Sequence, residues 1–330
     1  HPVAHSFPTR RSSDLLHECF IAANYYAPRG AQRLIRLGNQ LSIRYLWPND
    51  RLIGVIGEAG TGKSLLIRGM FPGMELTNDD EGINVRPLPL SEIENNSYFN
   101  AHTYHVDIRF ESGFTQPCEL ADMIRLALEK DKRVVVEHFD LIYPILGMNA
   151  ELLIGMGEEI IISRPGVLGP FPDDMYESVK SNAIYRKMAH SAEDITCFIL
   201  SRDFGYAHPG AHSDFPRGFV IEFSKKPEFS ISEVETQVKK LINSHIDIKH
   251  GDEKTLRVGD DAYPCTGPRI HVKNTQEIED FRLLKKFYHD PFSGKYMLVG
   301  RVGSELPESY TYKIKFDERH FEKREGEQES

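Results

Sequence analysis

Long apolar runs and regularly spaced cysteines are both missing from this sequence. No stretch approaches the roughly 20 consecutive apolar residues that a membrane-spanning helix needs, so we expect no membrane partner. The cysteines lie far apart and follow no disulfide-framework spacing, which favours a reducing, cytoplasmic setting. Each can therefore be core filler or a metal ligand, and they are Cys19, Cys118, Cys197 and Cys265.

Positive charge is also in short supply. The chain has 49 acidic side chains against 40 lysines and arginines, a formal net charge of −9. A nucleic-acid partner would therefore have to be held by a local basic patch rather than by the whole surface. The sequence shows no internal repeat, and its first residues contain no apolar segment of the kind found in signal peptides.

The two ends of the chain differ from the rest. Residues 5–15 resemble the conceptual translation of a sequencing adapter, so we interpret residues 1–15 as an artefact and leave them out of the fold. Residues 316–330 are expected to form a charged tail. The remaining length favours two domains, at 16–170 and 175–315, separated by a stretch rich in proline and glycine.

The first half alternates apolar strands with helices, which predicts an α/β domain with a mainly parallel sheet and flanking helices. The predicted helices are Gln32–Tyr45, Leu65–Met70 and Glu119–Lys130, and the predicted strands are Leu52–Ile56, Arg133–Val136 and Ile160–Ser163.

The second half has an α+β pattern. A helix is predicted over Ser178–Ala189, and an amphipathic helix from Ser230 to about His245, opened by a capping box of Ser230 and Glu233. The predicted strands are Gly218–Phe223 and segments near Leu256, Ile270, Phe281 and Tyr296.

The segment Gly57–Ser64 matches the phosphate-binding motif G-x4-G-K-[ST] completely, and it lies between a predicted strand and a predicted helix. The backbone N–H groups of such a loop face phosphate oxygens, and the helix adds its positive end. Lys63 would reach the β- and γ-phosphates, and the Ser64 hydroxyl would bind Mg²⁺. ATP and Mg²⁺ are therefore the predicted cofactors. The predicted nucleotide-binding residues are Gly57, Gly60, Thr61, Gly62, Lys63, Ser64 and Leu65.

A phosphate-binding loop also needs an acidic group at the end of a neighbouring strand. Glu137 ends a predicted strand and is our choice for orienting water or the Mg²⁺ shell, with Asp140 one helical turn further on. Kinase chemistry would need an acidic base near the γ-phosphate, for which Asp79, Asp80 and Asp107 are available.

Three segments together resemble a known ATPase. Gly57–Phe71, Tyr104–Asp107 and Val136–Glu137 are similar to the small ATPase of the bacterial threonylcarbamoyladenosine tRNA-modification system, over roughly residues 50–140. The resemblance implies ATP hydrolysis with Lys63, Asp107 and Glu137 as the catalytic residues. Where that family has a threonine-containing segment, this chain has residues 77–82, in which Asp79, Asp80 and Glu81 would hold a metal or a substrate hydroxyl, or form a solvated turn.

A second set of chemistry-bearing residues lies in the second half. His190 and Asp194 are four residues apart, on one face of a predicted helix, and Cys265 and His271 flank a turn. Imidazole, thiolate and carboxylate groups together are a plausible tetrahedral set for Zn²⁺. The alternative is that the histidines are hydrogen-bonded structural residues and Cys265 fills the core.

The order of these elements resembles the second additional domain of alanyl- and threonyl-tRNA synthetases and of free-standing alanyl-tRNA editing proteins, over roughly residues 178–300. The resemblance implies an aminoacyl-tRNA partner, a bound metal and hydrolysis of an aminoacyl ester. This chain departs from the family pattern at three points. Asp194 replaces a histidine, the turn reads C-x5-H rather than C-x3-H, and Gln276 replaces a glycine.

The leading hypothesis is an ATPase domain joined to an editing-like domain that acts on tRNA or an aminoacyl group. Two alternatives stay open: a small-molecule kinase, and a nucleotide-gated RNA-binding module. An RNA binder would need a basic patch, and the candidates for it are Lys239, Lys240, Lys249, Lys254, Arg257, Arg269, Lys273, Lys285 and Lys286.

Overall fold

The computed structural model describes residues 23–74, 76, 103–206, 212–250, 255–264 and 270–303. Within these ranges the chain forms two layered halves that share one long helix. None of the helices described there is both long and apolar enough to cross a membrane. The predicted tail, the first 15 residues, the acidic segment 77–82 and Cys265 lie outside the described residues.

The first half is built on a six-stranded sheet. Its elements are β1 (Ala23–Tyr26), α1 (Ala31–Tyr45), β2 (Leu52–Ile56), α2 (Lys63–Met70), β3 (Thr103–Asp107), α3 (Ile108–Glu111), α4 (Pro117–Glu129), β4 (Arg133–Glu137), α5 (Phe139–Leu146), β5 (Leu152–Met156) and β6 (Glu159–Ser163). The strand order is β1-β6-β5-β2-β4-β3, in which β3, β4, β2 and β5 run parallel, β6 is antiparallel to β5, and β1 is antiparallel to β6. The α/β architecture expected from the sequence is therefore confirmed.

The central strands are buried on both faces, as parallel sheets usually are. Because successive side chains of a strand point to opposite faces, Ile53 and Val55 of β2 pack with the α1 and α2 residues on one face. Leu52 and Ile56 pack with α4, α5 and the long helix on the other. Strand β5 was missed in the sequence, because its continuous apolar run carries no alternating pattern.

The second half contains two small antiparallel sheets. Its elements are α6 (Pro172–Phe204), β7 (His212–Phe215), β8 (Gly218–Phe223), α7 (Ile231–Ile242), β9 (Ile248–His250), β10 (Thr255–Val258), β11 (Asp261–Pro264), a 3-10 turn (Thr275–Glu277), β12 (Arg282–Leu283), β13 (Tyr288–His289) and β14 (Tyr296–Arg301). One sheet has the order β12-β14-β8-β7 with β13 paired to β14, and the other is β11-β10-β9. The α+β pattern is confirmed, although the segment at Ile270 forms no strand.

Helix α6 is far longer than the predicted Ser178–Ala189. It has 33 residues, and it belongs to both halves. Met175 and Val179 lie in the core of the first half, whereas nearly every residue from Met188 to Leu200 is buried in the second. A helix buried all round shows no amphipathic stripe, so its C-terminal part could not be recognised from periodicity.

The predicted capping box at Ser230 is wrong. The Ser230 side chain makes no capping hydrogen bond, and its Oγ instead lies 2.8 Å from Ser232 Oγ. A capping box forms elsewhere, where Asn274 accepts a hydrogen bond from the N–H of Gln276 and the Glu277 carboxylate accepts one from the N–H of Asn274. The contact with Ser232 takes the Ser230 hydroxyl away from the backbone N–H groups that it would have to cap.

Buried charges join the two halves. Arg186 of α6 donates to the carbonyls of Ala27 and Gly157 in the first half. Arg29 forms an ion pair of 3.0 Å with Glu193 of α6. All of these side chains are nearly inaccessible to water, so removing either partner of a pair would leave an uncompensated buried charge.

Glu158 lies in this interface and is 1% exposed. One carboxylate oxygen accepts a hydrogen bond of 2.8 Å from the backbone N–H of Arg217, across the junction. Burial raises the pKa of Glu158 to about 7, and the bond to Arg217 only partly offsets that rise. Because the unfolded chain releases this proton at lower pH, ionisation of Glu158 opposes folding.

We expect Glu158→Gln to change the pH dependence of stability. The contribution of protonated Glu158 to folding stability is fully present below the pKa that this carboxyl has in the unfolded chain, and it is lost as pH rises through about 7. The free energy of unfolding of the wild-type chain should therefore fall by about 3 kcal/mol relative to that of the variant across that window. Urea unfolding of both proteins from pH 5 to pH 8 (roughly the titration window) measures the difference, and parallel pH profiles would contradict it.

Candidate functional site

The loop from Gly57 to Ser64 connects β2 to α2, as the motif predicts. Its glycines adopt φ angles of 150° at Gly57, 78° at Gly60 and 92° at Gly62, which other residues rarely adopt. A Cβ atom at Gly57 would lie only 2.3 Å from the carbonyl oxygen of Met156, so β5 also excludes a side chain there. Gly62 directly precedes α2, and the N-terminus of that helix therefore opens onto the loop.

The side chain of Lys63 is buried against its own loop. Its Nζ donates a hydrogen bond of 2.9 Å to the carbonyl of Glu58, and the Thr61 hydroxyl donates to the same oxygen at 2.9 Å. This carbonyl holds the ammonium group beside the loop. The Glu58 carboxylate in turn pairs with Lys187 of α6.

Glu137 meets the loop from the neighbouring strand. Because β2 and β4 run parallel, Val55 pairs with Glu137, and both strands end at the same edge of the sheet. The Ser64 hydroxyl donates to Glu137 Oε1 at 2.9 Å, and His105 Nε2 lies 3.1 Å from the same oxygen. A serine and a carboxylate are therefore held together where Mg²⁺ is expected.

The environment keeps Glu137 ionised. Burial alone would raise its pKa. The hydrogen bond and charge of His105, the charge of Lys63 and the hydrogen bond from Ser64 outweigh burial and lower the pKa of Glu137 to about 2. A carboxylate with so low a pKa is a poor proton acceptor at neutral pH. It is better suited to binding a cation or orienting a polar group.

Asp107 and His138 lie beside Glu137. Asp107 ends β3 and pairs in register with Glu137, and its Oδ1 caps α3 by accepting a hydrogen bond of 3.1 Å from Phe110 N. His138 follows Glu137 in a left-handed conformation with φ of 56°. One ligand atom from each of the three buried side chains lies within 4.8 Å of the others.

A cleft of about 460 Å³ opens beside this cluster. It is lined by Gly57, Glu58, Ala59, Arg109, His138, Asp140, Leu141, Tyr176 and Lys187. The buried Oδ1 atom of Asp140 has no hydrogen-bond partner among the described residues, and burial raises the pKa of this carboxyl. The cleft thus joins the loop to the ends of β3 and β4 and to α6.

Three of the four predicted metal ligands in the second half come together. His271 Nε2 lies 2.8 Å from Asp194 Oδ2, His190 Nε2 lies 3.7 Å from the same oxygen, and the two imidazoles stack with ring centres 4.3 Å apart. The three ligand atoms fall within 4.8 Å of one another. The fourth candidate, Cys265, lies outside the described residues, immediately after the end of β11.

Local contacts explain why these residues meet. His190 and Asp194 are one helical turn apart on α6, and the Ser191 hydroxyl accepts a hydrogen bond of 3.0 Å from Val272 N, which fixes the segment carrying His271. His190 Nδ1 lies 3.3 Å from the carbonyl of Ile270, so Nε2 points to Asp194. Burial and then the charge of His271 hold the pKa of His190 well below its usual range, which keeps the imidazole neutral.

Sequence reasoning missed His138 and the link between Lys187 and Glu58. A lone histidine after a strand carries no spacing signal, and only the fold brings Asp107 to it. The pair of Lys187 and Glu58 spans 129 positions, so no local pattern could have indicated it.

Comparison with protein-family models finds no match for this chain, and comparison with curated proteins finds none either. The geometry of the two clusters is therefore the guide to the function of this chain.

Proposed function

We propose that the first half binds ATP with Mg²⁺ and hydrolyses it. The observation that carries this proposal is the contact of Ser64 with Glu137 beside the buried Lys63, at the mouth of a glycine loop that opens onto α2. Oxygen donors from a hydroxyl and a carboxylate fit the preference of Mg²⁺. When bound, Mg²⁺ would neutralise charge on the β- and γ-phosphates.

Each residue then has a distinct role. Lys63 leaves the Glu58 carbonyl and contacts the β- and γ-phosphates, while the loop N–H groups bind phosphate oxygens. Glu137, whose pKa of about 2 makes it a weak base, orients the attacking water rather than taking its proton. The water oxygen bonds to the γ-phosphorus, the bond to the bridging oxygen breaks, ADP leaves, and the proton stays with the released phosphate.

For the second half we propose an aminoacyl-ester hydrolase related to the tRNA-editing domains it resembles. His190, Asp194 and His271 would bind Zn²⁺, with Cys265 as a further candidate ligand, and this mixture of nitrogen and oxygen donors suits that ion. Three protein ligands would leave a position for water, as catalytic zinc sites do. When bound, Zn²⁺ would make that water a nucleophile at neutral pH.

One observation favours a second candidate function for the first half. The cleft beside the loop carries the cations Arg109 and Lys187 together with Asp140. A cleft at this edge would admit a phosphate acceptor other than water, which would make the enzyme a kinase. Release of inorganic phosphate without an added acceptor distinguishes hydrolysis from kinase activity.

We expect Lys63→Ala to abolish ATP binding, since no other loop side chain supplies a positive charge over the phosphates. Titration calorimetry with ATP and Mg²⁺ measures the affinity, and circular dichroism verifies the fold. The matched control is Lys180→Ala, an exposed lysine on α6. Equal ATP affinity in folded Lys63→Ala and wild-type protein would refute the nucleotide site.

Glu137→Gln should keep ATP bound while slowing its hydrolysis about 100-fold or more, the usual size of losing a positioned polar catalyst. The amide preserves shape but removes the charge beside Ser64 and His105. Phosphate release under saturating ATP gives the rate. Glu129→Gln, at the end of α4, serves as the control and should turn over like wild type. If Glu137→Gln does too, then Glu137 has only a structural role.

Aminoacyl-ester hydrolysis predicts that purified chain contains Zn²⁺ and deacylates alanine tRNA carrying a wrong amino acid. His271→Gln should lose both the metal, measured by mass spectrometry, and at least about 100-fold in rate. ATP turnover should be measured alone, with bulk tRNA and with the mischarged tRNA. Metal-free wild-type protein that still folds, with no deacylation, would exclude the hydrolase and leave RNA binding as the alternative.

A further inference from the structure

His138 has no structural role that the contacts explain. Its side chain is 7% exposed, yet it lines the cleft beside the phosphate-binding loop. None of the described residues forms a hydrogen bond with its imidazole. A buried polar side chain without such a partner is costly unless a ligand satisfies it. Its left-handed backbone at φ 56° adds to that cost.

The atoms nearest to this imidazole are suited to a cation. Asp107 and Glu137 are register partners at the ends of two parallel strands, and both are buried. The hydrogen bonds from Ser64 and His105 both fall on Oε1 of Glu137. A ligand atom of Asp107, one of Glu137 and one of His138 lie within 4.8 Å of one another, a span that a single ion can bridge.

The charges around the cluster also bear on metal binding. The cations Lys63 and Arg109 oppose a further positive charge, whereas the buried carboxylates of Asp107 and Glu137 attract one.

We propose that Asp107, Glu137 and His138 form a second divalent-cation site, which shares the Glu137 carboxylate with the Mg²⁺ bound through Ser64 and takes a first-row transition-metal ion such as Mn²⁺. Mg²⁺ demands oxygen ligands, whereas an imidazole among carboxylates moves the preference toward ions that accept nitrogen. The site needs no nucleotide, so its existence is independent of the ATPase proposal. Its place at the mouth of the cleft would put positive charge beside a transferred phosphoryl group.

The test is a titration of nucleotide-free protein with Mn²⁺ in millimolar Mg²⁺, followed by the electron paramagnetic resonance of free Mn²⁺. We expect Mn²⁺ to bind despite the excess of Mg²⁺. His138→Asn should weaken binding by about tenfold or more, since even outer partners of metal ligands commonly contribute that much. Asparagine tolerates the left-handed backbone, so this variant is expected to fold. Asp107→Asn keeps a capping side chain for α3 and should weaken binding similarly.

Two controls separate this site from other histidines. His289→Asn changes an exposed imidazole and should leave the affinity unchanged. The double variant His190→Asn, His271→Asn removes both imidazoles of the other cluster, so in that protein the spin-echo signal of Mn²⁺ should still show modulation by a coordinated imidazole nitrogen. This signal tests His138 even if His138→Asn fails to fold.

Three outcomes would overturn the proposal: no Mn²⁺ binding in excess Mg²⁺, unchanged affinity in folded His138→Asn and Asp107→Asn, or loss of the nitrogen signal when both His190 and His271 are replaced. Failure of ATP to bind in a separate titration would refute the ATPase while leaving this site intact.

Discussion

Helix α6 has to satisfy two hydrophobic cores at once, and most of the architecture follows from that constraint. Its first turns cover the sheet that carries the glycine loop, and its last turns form the centre of the second half. Between them, Arg186 and Glu193 bury their charges against the first half. Because such groups are stable only when paired, the position of α6 relative to the loop is fixed, and so is the position of His190 and Asp194.

The conformation of the glycine loop at Gly57–Ser64 was predictable because its information is local. Eight consecutive residues specify the turn, the glycine conformations and the helix that follows, so the motif alone places Lys63 and Ser64. The contacts that Lys63 and Ser64 make with other parts of the chain could not be predicted in this way. Glu137 could be suggested as a strand end, but its contact with His105 arises only when β3 and β4 pair. Pairing of parallel strands is set by tertiary packing, which no spacing rule encodes.

The second cluster shows how far spacing alone reaches. His190 and Asp194 share a helix face by simple periodicity, whereas His271 is 77 positions from Asp194 and reaches it only through the fold. These three residues lie together in the structure, as predicted. The length of α6 and strand β5 were not foreseen, since a run of buried residues has no period to detect. His138 was overlooked because a single histidine has no pattern.

Because α6 belongs to both halves, the chain cannot be cut into two fragments that are then studied separately. In many multidomain chains an exposed linker can be cut and each part studied alone. Here a cut after residue 170 would strip Met175 and Val179 from the first core, and a cut after residue 204 would leave the first part carrying the apolar surface of the second. Either fragment would expose a large apolar face to solvent and tend to aggregate. The two halves therefore have to be studied as a single folding unit, and their separate activities distinguished by point substitutions rather than by truncation.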